Sequence, residues 1–210
     1  LGGFRVLENS PGLAFLHGAV AQAVFALLCL NAFTLSRAGA SEASGARPDD
    51  AALRGLRTVA LVALALLYAQ VVLGAWYRHG LRPAPAAGHM ARFALHGVGA
   101  VVVMAALAAL VRQGARMRAA GQAFPPALER AFAWLPRLLL LQIVLGGLAW
   151  AGFRPGAIGP AEWLLSIAHV LVGALLLADT ALIALGSARL ARGARGAVRQ
   201  GAGQPALGVR

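Results

Sequence analysis

Three histidines, His17, His96 and His169, stand in otherwise apolar stretches of this 210-residue chain and recur in one context. Small residues follow each of them: Ala21 after His17, Gly99 and Ala100 after His96, Gly173 and Ala174 after His169. Positions three and four apart share a helix face. An imidazole inside lipid costs several kcal/mol unless it finds a partner, so such a residue marks a functional site by default. Its neutral ring is a common axial ligand of haem iron. Small residues beside it clear a slot for a flat macrocycle, and they equally let two helices approach closely. A lone buried histidine is ordinarily a hydrogen-bonded packing residue; three at one depth argue for ligands.

The elements that carry these residues follow from composition. The chain is 60% hydrophobic and 12% charged, with a mean hydropathy of +0.72, against roughly 25% charged residues in soluble domains. A bilayer core about 30 Å thick needs about 20 apolar residues of helix. Five segments meet that length, near residues 12–35, 56–77, 92–111, 132–152 and 162–187. None contains Lys or more than one acid in its interior. The first has no basic stretch before it and does not read as a signal peptide. The expected fold is therefore an all-helical polytopic transmembrane bundle.

The net charge of +12 comes entirely from arginine, beside heavy Ala and Gly usage. Topology accounts for it, and nucleic acid is not expected as a partner. Arg37, Arg47, Arg54 and Arg57, then Arg112, Arg116, Arg118, Arg130 and Arg137, then Arg189, Arg192, Arg195, Arg199 and Arg210 alternate onto one side. Arg5, Arg78, Arg82, Arg92 and Arg154 fall on the other. The positive-inside rule places residue 1 outside and residue 210 in the cytoplasm. Trp76, Trp150 and Trp163 then form an outer aromatic belt, with Trp134 near the inner interface. The single cysteine, Cys29, excludes a disulfide within this sequence.

Self-comparison reveals a repeat. Gln70-Val71-Val72-Leu73-Gly74 matches Gln142-Ile143-Val144-Leu145-Gly146. His96 lies 22 residues after Gly74, His169 lies 23 after Gly146, and His17 lies 15 after Gly2 in the same frame. The unit is a helix ending in Leu-Gly, an outer loop and a returning helix with histidine in its first two turns. Helices two to five are expected to form a four-helix bundle over residues 56–187, with His96 and His169 as a ligand pair. Residues 1–36 are expected to form the last helix of a preceding half whose earlier helices would lie upstream. Residues 37–55 read as a cytoplasmic linker, 113–131 as a connector broken by Pro125 and Pro126, and 188–210 as a disordered basic tail.

Other polar residues are weighed more blandly. His79 and His89 fall in the outer loop and are expected to be wet. Arg78, Arg82 and Arg92 either pair with haem propionates, as a guanidinium matches a carboxylate bidentately, or snorkel to the interface. Gln70, Gln142, Gln22 and Asn31 are expected as hydrogen-bonding glue between helices. Asp179 is open between a neutral acid bonded to Thr180 or to a neighbouring helix and a proton relay.

Phe4-Arg5-Val6-Leu7-Glu8-Asn9-Ser10-Pro11 through Leu16-His17-Gly18, and Leu73-Gly74-Ala75-Trp76-Tyr77-Arg78-His79-Gly80, resemble the haem A synthase family of bacterial and mitochondrial membranes. The likeness runs from residue 1 to about 187 and rests on repeated short motifs. It implies eight helices in two pseudo-symmetric halves, of which this chain would hold the second and one helix of the first. By that resemblance His96 and His169 ligate a low-spin haem b, and His17 belongs to the site where the substrate haem O docks. The implied reaction oxidises a methyl group of haem O to the formyl of haem A, with oxygen from water and electrons passing through haem b. It implies a bacterial cytoplasmic membrane, a haem O donor enzyme and an electron acceptor as partners, and it allows a homo-oligomer. The family's other substrate-side histidine and a glutamate lie upstream, so the chain alone is expected to be inactive. Gly97 stands where many relatives carry a basic residue, and an outer-loop cysteine pair found in some is absent. Two other readings remain: a haem b electron carrier without haem O chemistry, and a transporter or assembly scaffold whose histidines bridge helices.

Overall fold

The computed structural model describes residues 10–36, 49–79, 86–152 and 159–202. They form five helices: α1 (Pro11–Leu35), α2 (Asp50–His79), α3 (Ala86–Ala119), α4 (Pro126–Gly152) and α5 (Pro160–Ala202). All five are long and apolar enough to cross a membrane. The protein is thus an integral membrane protein by the length and composition of its helices, and no strand occurs among the described residues.

Local chemistry sets the helix ends. Ser10 accepts a hydrogen bond from the Leu13 amide at 3.2 Å ahead of Pro11, whose missing N–H costs nothing in a first turn. Asp49 does the same for Ala52 at the start of α2. Glu162 reaches back to the Gly159 amide at 3.1 Å to open α5. Helix α3 stops where Gly121 takes φ +75°. There the Gln122 amide bonds to Met117 O at 3.1 Å and the Gly121 amide to Arg118 O at 2.9 Å, a Schellman turn that consumes the orphan carbonyls.

These boundaries correct three expectations. Helix α2 begins at Asp50, inside the stretch assigned to the linker; residues 37–48 lie outside the described residues. The connector shrinks to 120–125, because the Arg, Ala and Met residues before it are good helix formers and Pro126 starts a helix rather than breaking one. The basic tail is helical through Ala202, again because Ala, Arg and Gln favour helix; residues 203–210 lie outside the described residues.

Helices α2, α3, α4 and α5 close a ring. Helix α2 packs on α3 and α5, and α4 packs on α5 and more sparsely on α3. The diagonal partners α3 and α5 do not touch each other. Helix α1 lies outside the ring against α2 and α5.

Packing differs sharply along the bundle axis. At the basic end, Leu53, Leu56, Leu107, Leu110, Leu135, Leu176 and Ile183 are fully buried. Phe132 lies so close to Gly114 that a Cβ there would stand 2.7 Å from its ring. The core ends abruptly. No described side chain of residues 68–79, 88–102, 136–152 or 159–171 is buried. Leu67, Val103, Leu135 and Val172 are the last buried residues towards the histidine end on their four helices. Pro136 sits on that boundary, inside α4, where its missing N–H leaves the Phe132 carbonyl without its usual partner.

Candidate functional site

His96 and His169 lie in the open half, on the diagonal helices α3 and α5. Each is clasped by the helix that precedes it. The Gln70 amide nitrogen stands 3.0 Å from Nδ1 of His96 and donates to the His96 carbonyl at 2.8 Å. The Gln142 amide nitrogen stands 3.2 Å from Nε2 of His169. Glycines make both contacts possible. A Cβ on Gly74 would stand 3.0 Å from Cε1 of His96, and one on Gly146 would stand 2.9 Å from Cε1 of His169. A Cβ on Gly99 would collide with Oε1 of Gln70, and one on Gly173 would meet Nε2 of Gln142 at 3.1 Å.

The repeat in the sequence is therefore a repeat of contacts. One glycine of each pair, four residues after the glutamine, receives the imidazole; the other, three or four after the histidine, receives the amide. This corrects the reading of Gly99 and Gly173 as residues that leave a gap, since glutamine side chains occupy the room they provide. Gly97 and Gly147, in contrast, have no neighbouring atom within 4 Å of an added Cβ.

Nδ1 of His169 is buried without a hydrogen-bond partner in the structure described. Arg92, one helical turn before His96, lies over the Trp76 ring at 4.9 Å, and its Nη1 is buried without a hydrogen-bond partner among the described residues. Arg82 lies outside the described residues.

An aromatic run closes one side of the site. Tyr77 stacks on His96 with ring centroids 6.2 Å apart and planes 6° from parallel. Phe93 meets Tyr77 at 5.8 Å and Trp150 of α4 at 5.6 Å. Composition had suggested only an interfacial belt for Trp150 and had no role for Tyr77 or Phe93. The signal that could have singled out Tyr77 is its place seven residues after Gln70, two turns along one face.

The remaining histidines separate. His17 is exposed on α1 among the described residues. The adjacent Gly18 packs on α2, where an added Cβ would be 3.6 Å from both Ala75 Cβ and His79 Nε2. His79 is thus the half-buried last residue of α2 against α1, not a wet loop residue, because α2 runs five residues past Gly74 as helix. His89 falls on α3. Asp179 lies in the packed half of α5 with Oδ2 buried and without a partner among the described residues. Thr180 is not its partner, since that hydroxyl donates to Leu176 O at 2.8 Å.

No group of three or more His, Cys, Asp or Glu side chains is arranged to hold a bare metal ion among the described residues. Two imidazoles stand on diagonal helices of the ring, with Arg92 one turn before His96. Comparison of the chain with protein-family models, with curated proteins and with solved structures finds no match.

Proposed function

We propose that this chain is part of a haem-containing membrane oxidoreductase of the haem A synthase type, with His96 and His169 as the two axial ligands of a haem b. The observation that carries the reading is the position of the two imidazoles: on diagonal helices, each clasped by a glutamine of the preceding helix, at the level where side-chain packing stops. Between membrane helices no hydrophobic effect compensates for unfilled space, so stability there rests on van der Waals contact. A half-bundle without buried side chains forfeits those contacts unless a bulky apolar group supplies them. Facing helices of a four-helix bundle are where such cofactor sites are built.

The residues present fit a haem. The orphaned His169 Nδ1 shows a ring with unused capacity, and the orphaned Arg92 Nη1, with Arg78 in the last turn of α2, offers cations for two carboxylates. Bound there, the group would supply one-electron redox chemistry. His96 and His169 would bind and orient it, Arg78 and Arg92 would hold its anionic edge, and Phe93 and Trp150 would exclude water from the side between α3 and α4. His17, exposed on α1, belongs to a second site for the substrate haem O, which would be completed by helices outside this sequence. In this reading the histidine end faces outside and the basic end the cytoplasm.

The optical spectrum and pyridine haemochrome of the purified intact protein test the assignment. A b-type spectrum is expected, lost when His96 and His169 are both replaced by Ala in protein that keeps its helical circular dichroism. A colourless wild-type protein sinks the reading and favours a transporter or scaffold. One observation favours a haem b electron carrier as the second reading: a single two-histidine site is assembled among the described residues. Conversion of added haem O to haem A by the intact protein separates the two.

A further inference from the structure

We infer that Gln70 and Gln142 are positioning residues that choose which ring nitrogen each histidine presents to the metal and set the donor strength of that nitrogen. The inference rests on the haem reading above and goes beyond it. A neutral imidazole has one N–H and one lone pair, and only the lone pair can bind iron. Whichever nitrogen is bonded elsewhere fixes the one left over, and a hydrogen bond to the ring's other N–H raises the basicity of the ligand.

In both hairpins the glutamine is the side chain that hydrogen-bonds the ring among the described residues. Its amide carries two donors and an acceptor, so it can serve either tautomer. The acceptor is idle here: Oε1 of Gln70 and Oε1 of Gln142 are both buried without partners. Buried amide oxygens left unsatisfied at equivalent positions carry an uncompensated desolvation cost. At Gln142 that cost is removed if the oxygen takes a ring N–H when the opposite nitrogen ligates a metal; at Gln70 the same turn also releases the His96 carbonyl that its nitrogen bonds. Gly99 and Gly173 hold room for the amides, and Gly74 and Gly146 hold room for the rings, so each clasp is built on both of its sides.

The two clasps are not identical. Gln70 engages Nδ1 of His96, and Gln142 engages Nε2 of His169. Tyr77 stacks on His96, and no ring stacks on His169 among the described residues. Among those residues the histidine of the first hairpin is held at an edge and a face, that of the second at an edge. The two axial ligands are therefore inequivalent, with His169 the freer to turn.

The experiment compares Gln70→Leu with Gln70→Glu, and Gln142→Leu with Gln142→Glu, in the intact purified protein. Readouts are the haem midpoint potential, the low-spin electron paramagnetic resonance g-values and haem retention during purification. Leu removes the acceptor, so the ligand becomes less basic and the potential rises; Glu is a stronger acceptor, so the potential falls. Haem retention drops about tenfold or more in the Leu variants. Shifts of opposite sign within a hairpin support the inference. Shifts of the same sign, or unchanged potential and g-values in a haem-loaded variant, overturn it and leave the glutamines as packing residues. Either hairpin suffices if one Leu variant does not fold. A wild-type protein lacking bis-histidine haem overturns the underlying reading instead, so the two failures are distinguishable.

Discussion

The two halves of the four-helix ring obey different rules although the same helices run through both. Towards the basic end, leucines and a phenylalanine interlock until Leu56, Leu107, Leu110 and Leu135 have no exposed surface. Towards the histidine end, the helices carry glutamine, histidine, glycine and aromatic residues, and no residue described there on the four helices is buried as a whole, only single polar atoms. The first half is a self-sufficient packed unit; the second is held by two hydrogen-bonded clasps and a row of stacked rings. Apolar side chains fix the spacing of the helices at one end so that polar ones can be held apart at the other.

The contrast can be broken or sharpened by experiment. The largest expected effect, if the proposed haem is bound, is complete loss of its b-type absorbance on replacing His96 or His169 with Ala, with circular dichroism unchanged because the packed half remains. Next, Leu107→Ala or Leu135→Ala should cost about 2–5 kcal/mol in the packed half. Val98→Ala, on an exposed position of the open half, should cost no more than about 0.5 kcal/mol. Unfolding in mixed detergent titrations reads both, and equal losses would erase the distinction between the halves. In the third comparison, Gly99→Ala forces Gln70 off its position and should cost about 1–3 kcal/mol, together with haem retention. Gly97→Ala meets open space and should lose neither. The smallest effect belongs to the Arg118–Glu129 ion pair at 2.8 Å, whose side chains are 35% and 38% exposed. Replacing Glu129 with Gln should cost about 0.2–1 kcal/mol in the same titration, less at high salt.

How much was legible in the sequence follows from which forces act locally. The five spans were, because twenty apolar residues in a row have few alternatives to a membrane helix. Helix ends were not: the Ala and Arg residues flanking Pro126 and those after Gly186 continue as helix where charge and glycine content had suggested connectors. His96 and His169 stood out because a polar ring in an apolar run is expensive. Their glutamine partners did not, since contact between Gln70 and His96 depends on the angle at which two helices cross. The repeated spacing of glutamine and glycine held that information, yet it read equally well as general glue. Tyr77 was invisible for a related reason, as a tyrosine near a span end has an ordinary home at the interface. His79 was misplaced because a Gly80 after it suggested a loop, whereas the helix runs to His79 itself and packs on Gly18.

The clasps also bear on how such a protein is made. Each one joins neighbouring spans of a single hairpin, Gln70 with His96 and Gln142 with His169, and neither needs the other hairpin to form. A helical pair leaving the translocon therefore carries its imidazole already bonded, sparing the lipid a bare polar ring during the interval before the second pair arrives. Docking of the pairs then brings into one bundle two imidazoles that each hairpin has already engaged.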